Sequence, residues 1–308
     1  MRFTWVPQLG RHVIWQYSKS LTYLIVLLAL TIGAPYVLAH LIPLRDPSQI
    51  DHLQMLLWVA FIGGGCVGLS VFWNESSSTS LMELSQIYDP PQSRLFTALA
   101  DLRKVARVEW PVHIVVHTYL LGTAALIRTR FQHADHVIHM SKRLEQNLEP
   151  DELDAVIAHE LAHVRHGDFI TVPILLISFA AFTYTLLTYI FLLSIMFEPV
   201  PTSGFPVAVL LCLASWFTFR FLMWAHSRTR EYLADAAVLA FLGYDQREVF
   251  VRALLKTVHI FSPRIDIFDD DADIVRSHPT VVRRARALGV HITEKDWYIF
   301  VFGTKKID

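Results

Sequence analysis

His159, Glu160 and His163 are the residues of this sequence whose types and spacing most directly offer chemistry. Two histidines four positions apart lie on one face of a helix, about one turn from each other, so their imidazoles can close on a single Zn²⁺. Glu160 projects to the side of such an ion, where a carboxylate can hold a water and take its proton. That is the chemistry of metal-assisted hydrolysis. A short pattern of this kind also arises by chance in an amphipathic helix with surface histidines, so the reading requires a third ligand from elsewhere.

The local sequence predicts a helix around the pair. Pro150 suits a first helical position, and Asp151 and Glu152 fall in the first turn, where the helix dipole favours anions. Leu153, Val156, Ile157, Leu161 and Val164 form an apolar face, and Gly167 is the expected stop. The best third ligand is Glu231, within Ser227-Arg228-Thr229-Arg230-Glu231-Tyr232-Leu233-Ala234-Asp235. On a helix Asp235 lies one turn beyond Glu231, placed to accept the outer N–H of a ligand histidine and fix its tautomer. Taken alone, Glu231 reads first as a solvated acid beside Arg228 or Arg230 on an exposed helix; paired with the His159–His163 motif, it reads as the ligand. Cys66 and Cys212 both sit in apolar runs and are poor candidates for thiolate ligands. The acidic run Asp269-Asp270-Asp271 with Asp273 reads as a solvated loop before it reads as a calcium site.

These residues need elements to position them, and composition points to a membrane. A hydrophobic content of 53% and a mean hydropathy of +0.39 are high for a soluble chain of 308 residues. A net charge of −1 gives no sign of a nucleic-acid-binding surface. Four apolar runs are long enough to span a bilayer: Leu21 to Ile42, Leu53 to Phe72, Phe169 to Phe197 and Phe205 to Trp224. Gly64 and Gly68 in the second run have the small-x-x-x-small spacing of close helix contacts. The segment Ser76 to Ser80 is the nearest approach to a linker. Basic residues flank the N-terminal side of the first span, the end of the second and the end of the fourth, whereas Arg45 is the single one between the first two. The positive-inside rule then predicts both termini and the His159–His163 segment in the cytosol. Before the metal helix, Ser93 to Arg107 has Leu95, Phe96, Leu99, Leu102 and Val105 at helical spacing, and Val112–Val116, Tyr119–Ile127 and Ala134–His139 read as strands. His113, His117, His133, His136 and His139 lie in or beside these strands; several read as surface or edge residues, and for each a structural role is favoured over ligation. His166 reads as a neighbour of the site without being a ligand.

The His159-Glu160-Leu161-Ala162-His163 motif, the following Gly167-Asp168, then Arg230-Glu231-Tyr232-Leu233-Ala234-Asp235, and Ser277-His278-Pro279 with Arg284 resemble the HtpX-like integral-membrane zinc metallopeptidases, in the superfamily that includes the CAAX prenyl endopeptidases. The resemblance implies a mainly α membrane protein: four transmembrane helices with a cytosolic α+β metalloprotease domain, whose small sheet precedes the H-E-x-x-H helix. The implied division is a cytosolic N-terminus over 1–20, spans one and two over 21–73, an α/β segment over 74–168, a hairpin of spans three and four over 169–226, and a helical segment carrying the third ligand over 227–308. It further implies one Zn²⁺ on His159, His163 and Glu231, with Glu160 as general base and His278 and Arg284 near the oxyanion. Where family members carry an Asn-Ala-Phe-Ala-type edge strand, this chain has Thr118 to Ala125, so substrate choice transfers least securely.

The expected function is a membrane-embedded zinc endopeptidase of a bacterial inner membrane, cutting misfolded or membrane proteins at the cytosolic face in quality control. A sensor metalloprotease with one dedicated substrate is the first alternative, although both predicted outside loops are short. A non-catalytic zinc-binding scaffold is the second, and it gives no reason for Glu160.

Overall fold

The computed structural model describes residues 7–40, 47–83, 94–117, 127–130, 135–196, 204–261, 278–294 and 297–303. The predicted acidic loop at 269–273, the stretch 118–125 and His133 lie outside them. The chain divides into two compact units. One comprises Met1–Ser18, Ser76–Phe169 and Ser227–Asp308, and the other Lys19–Glu75 and Ile170–His226.

The second unit is built on four long helices: α1 (Pro7–His40), α2 (Pro47–Glu83), α6 (Asp168–Met196) and α7 (Gly204–Leu242). Each contains a stretch long and apolar enough to cross a membrane: Val13–His40, Ser48–Ser70, Ile170–Ile195 and Val209–Leu242. Leu27, Leu57, Phe182 and Phe219 form part of its interior. Large apolar side chains also point outward, with Ile62 61%, Leu187 58% and Phe217 64% exposed. Helices that are apolar on both faces require lipid as their outer solvent. Because lipid removes the hydrophobic drive between helices, close contact must come from small residues. A Cβ added at Gly64 would stand 2.7 Å from Tyr184 Cβ and 2.9 Å from the Ala180 carbonyl oxygen, and one at Gly68 would stand 2.9 Å from Ala180 Cβ. Only glycine lets α2 approach α6 this closely.

Two of these helices outrun their apolar segments. Helix α2 continues through Ser76 to Ser80, where the sequence reads most like a linker, and ends at Glu83. Serine and threonine lower helix propensity by only a few tenths of a kcal/mol each, and neither proline nor glycine interrupts the run. Helix α7 has 39 residues, about 58 Å at 1.5 Å per residue, roughly twice what a hydrocarbon core needs. It carries the apolar fourth run and the Glu231 segment as one continuous helix.

The first unit contains α3 (Arg94–Ala106), the strands β1 (Val112–His117), β2 (Ile127–Arg130) and β3 (Asp135–Ser141), then α4 (Lys142–Asn147), α5 (Pro150–His166), α8 (Arg247–Phe261), α9 (Val281–Ala287) and α10 (Trp297–Phe302). The sheet order is β1-β3-β2, with β1 parallel and β2 antiparallel to β3. The strand predicted over 119–127 falls within the described residues only at Ile127. Helix α3 buries Leu95, Leu99, Leu102 and Ala106, whereas Phe96 and Val105 face outward. The core joins these residues to Ile138 and Met140 of β3, Ile157 and Leu161 of α5, Val238 of α7 and Phe250 of α8.

Candidate metal centre

Helix α5 has strong local boundaries. Pro150 opens it, and the Glu152 carboxylate accepts the Glu149 backbone N–H at 2.8 Å. Gly167, at φ 73°, caps its C-terminus in the left-handed conformation that glycine adopts without a Cβ penalty. The five residues of the expected apolar face are all buried, and His159 and Glu160 are buried with them.

The His159 and His163 Nε2 atoms lie 3.1 Å apart. From α7, Glu231 brings Oε2 to 3.5 Å from His159 Nε2 and Oε1 to 3.6 Å from His163 Nε2. Two ligands of a tetrahedral ion bound at about 2.0–2.1 Å are separated by about 3.3–3.4 Å, so the three donors form a cage of the right size. Among the described residues these three alone bring at least three metal-binding side chains together. With each Nδ1 facing a carboxylate, two imidazole Nε2 atoms 3.1 Å apart are a natural pair of donors to one ion.

Carboxylates hold the outer face of each ring. Asp235 Oδ1 lies 3.1 Å from His159 Nδ1, and Asp168 Oδ2 lies 2.5 Å from His163 Nδ1. A proton on Nδ1, held by a carboxylate, leaves Nε2 with its lone pair for a metal. Burial opposes charge on His159, but hydrogen bonds with Asp235 and Glu231 outweigh it and lift the ring to about 9, so a metal would displace a proton from Nε2 as it binds. His163 moves down, first through burial and then through repulsion from His159.

Glu160 is buried, and burial raises its pKa, partly offset by attraction to His159 and His163. An upward shift is the direction that suits a carboxylate to proton transfer. His278 is exposed and places Nδ1 3.1 Å from Glu231 Oε1. Arg284, from α9, lies within the same cluster. Its Nε and Nη2 donate to Asp235 at 2.8 and 2.6 Å, and Nη1 lies 3.3 Å from Glu231 Oε2. These contacts tie Arg284 to the carboxylates of both Asp235 and Glu231.

The histidines of the sheet are split between surface and interior. His136 and His139 are buried on β3, the central strand, while His113 on β1 is exposed. His166 packs edge-on against Tyr17, with ring centroids 5.6 Å apart. Burial and the charge of Arg230 push its pKa down to about 3. The sequence reading gave Asp168 no role. The available signal was an acid directly after the glycine that stops the metal helix, five positions beyond His163.

The profile of Peptidase family M48 matches residues 113–291, more than half of the chain. The chain belongs to peptidase family M48. It is 25% identical over 223 residues to a protease HtpX homolog of Helicobacter pylori strain Shi470, covering 68% of this chain and 70% of that protein. With protease HtpX of Pseudomonas fluorescens strain Pf-5 it shares 26% identity over 258 residues, covering 76% of this chain and 85% of that one. The crystal structure of S. mikatae Ste24p superimposes with a TM-score of 0.54 at 20% identity, over 91% of this chain and 67% of that one, a likeness of fold. With four candidate spans, the chain is a multi-pass, HtpX-like membrane metallopeptidase of mainly α fold.

Proposed function

We propose that this peptidase is a zinc endopeptidase of a bacterial inner membrane, which cleaves misfolded or membrane proteins at the cytosolic face in quality control. The observation that carries the reading is the cage of His159, His163 and Glu231, with separations of 3.1, 3.5 and 3.6 Å, beside the buried carboxylate of Glu160. Two imidazoles and one carboxylate suit zinc and leave a fourth position for substrate chemistry. When bound there, zinc supplies Lewis-acid polarisation of the scissile carbonyl and acidifies water toward a pKa of about 7. Glu160 takes the proton of the attacking water and passes it to the leaving amine, acting as general base and then general acid. His278, anchored to Glu231 through Nδ1, has a second ring nitrogen with which to steady the oxyanion. Asp235 and Arg284 hold His159 and Glu231 in place.

The orientation rests on the basic residues around the four spans, which favour a cytosolic site and cytosolic termini. On this reading 74–168 and 227–308 are cytosolic, and 169–226 returns the chain across the bilayer and back. The length of α7 supports it, because residues beyond about the first 20 can extend out of the hydrocarbon. The direct test is to purify the full chain in detergent, measure its zinc content, and follow casein cleavage with and without a chelator. Near-stoichiometric zinc and chelator-sensitive cleavage are expected. Cleavage that persists in a fully stripped protein would overturn the zinc mechanism.

A further inference from the structure

Asp235 and Arg284 support one metal-facing histidine, and a matching pair stands behind the other. Asp168, the first residue of α6, lies 2.5 Å from His163 Nδ1 through Oδ2 and is ion-paired through Oδ1 with Arg230. Arg230 also donates from Nη2 to the His166 carbonyl oxygen at 2.8 Å, which ties α7 to the last residue of α5. Both side chains are largely buried, at 13% exposure for Asp168 and 11% for Arg230.

We infer that Asp168 and Arg230 are a positioning pair for His163, which fixes its tautomer and ring plane so that Nε2 points toward the metal position. This rests on the zinc-site reading above. A histidine proton can sit on either nitrogen, and on Nε2 it would abolish ligation; a carboxylate on Nδ1 removes that alternative. A buried carboxylate needs a partner to offset its lost hydration, and Arg230 supplies both charge and a fixed direction. Helix α7 therefore acts twice at the site. It contributes Glu231 as a ligand, and one residue earlier it contributes the arginine that holds the support of a second ligand.

An ordinary structural ion pair is the competing explanation, and helix α5 has one at its other end. Glu152 is buried and bonded to Lys256 Nζ at 2.8 Å, away from the metal-facing atoms. The test measures Zn²⁺ affinity of the full chain in detergent by competition with a chromophoric chelator, together with the visible spectrum of the Co²⁺-substituted protein. D168A is expected to weaken Zn²⁺ binding by about 10–100-fold and to change the Co²⁺ spectrum. R230Q should weaken binding in the same direction by a smaller factor, and it decides the matter if D168A does not fold. E152Q should lower the melting temperature and leave affinity and spectrum unchanged. Wild-type Zn²⁺ affinity and Co²⁺ spectrum in D168A, or in R230Q should D168A fail to fold, would overturn the inference. H163A, measured alongside, separates the two claims. If H163A loses zinc while D168A keeps it, the positioning pair alone is wrong; if H163A also binds as wild type, the zinc site itself is wrong.

Discussion

Buried polar groups are satisfied in two different ways in the two units. Among the membrane helices, hydroxyls bond back to their own backbone: Thr31 to the Leu27 carbonyl at 2.7 Å and Thr185 to the Ala181 carbonyl at 2.8 Å. His226, whose Nδ1 lies 3.1 Å from the Ser20 carbonyl oxygen, is a cross-helix case. In the other unit the contacts join separate elements: at the metal centre Arg284 of α9 to Asp235 of α7 and Asp235 to His159 of α5, and at the far end of α5 Lys256 of α8 to Glu152. Local back-bonding satisfies a polar atom without fixing a neighbour. Cross-element bonds fix positions, and removing one partner strands the other. The membrane helices should therefore respond to volume, and the metal centre to charge and hydrogen bonding.

The largest effect bearing on this contrast is expected from Glu231→Gln, which keeps shape and removes the ligand charge. Zinc affinity should fall by at least about a hundredfold, the upper end of what losing a supporting residue costs, and turnover should fall with it. Full zinc stoichiometry at sub-stoichiometric free metal would show the third ligand to be misassigned. Arg284→Met should come next, because it leaves Asp235 and Glu231 buried and short of a partner. A loss of about 3–5 kcal/mol is expected in denaturant unfolding, and a change below about 1 kcal/mol would contradict the cross-element account. His278→Ala, with an exposed side chain, should leave stability and zinc unchanged while lowering turnover on the order of 10²- to 10³-fold.

Volume should govern the other unit. Gly64→Ala places a methyl 2.7 Å from Tyr184 Cβ and should destabilise by about 1–3 kcal/mol, whereas Gly63→Ala meets nothing within 4 Å and should be neutral or slightly stabilising. Equal melting temperatures for the two would break the close-packing argument. Thr185→Val, smallest of all, should change stability by less than about 1 kcal/mol.

How much the sequence revealed follows the same division. Helix α5 was legible from end to end because its proline start, acidic first turn, apolar face and glycine stop are all local signals. Glu231 and Asp235 were legible as a four-residue spacing. The continuity of α7 was not, because hydropathy reports the solvent around a helix and drops at Trp224, while the backbone continues until Gly243, at φ 109°. The burial of His136 and His139 depends on β3 lying between β1 and β2, an order no local pattern encodes. Asp168 was visible as a residue but not as a support, since its role needs Arg230 to arrive from 62 positions further along the chain.

The central claim is that His159, His163 and Glu231 hold one zinc ion and that Glu160, outside the ligand set, moves the proton. Glu160→Gln tests it most directly, with zinc content and initial cleavage rate of an unfolded substrate measured on the same preparation. The account predicts wild-type zinc content with turnover reduced by at least about 10²- to 10⁴-fold, since one carboxylate serves both half-reactions. A zinc-loaded Glu160→Gln protein that cleaves at the wild-type rate would contradict it.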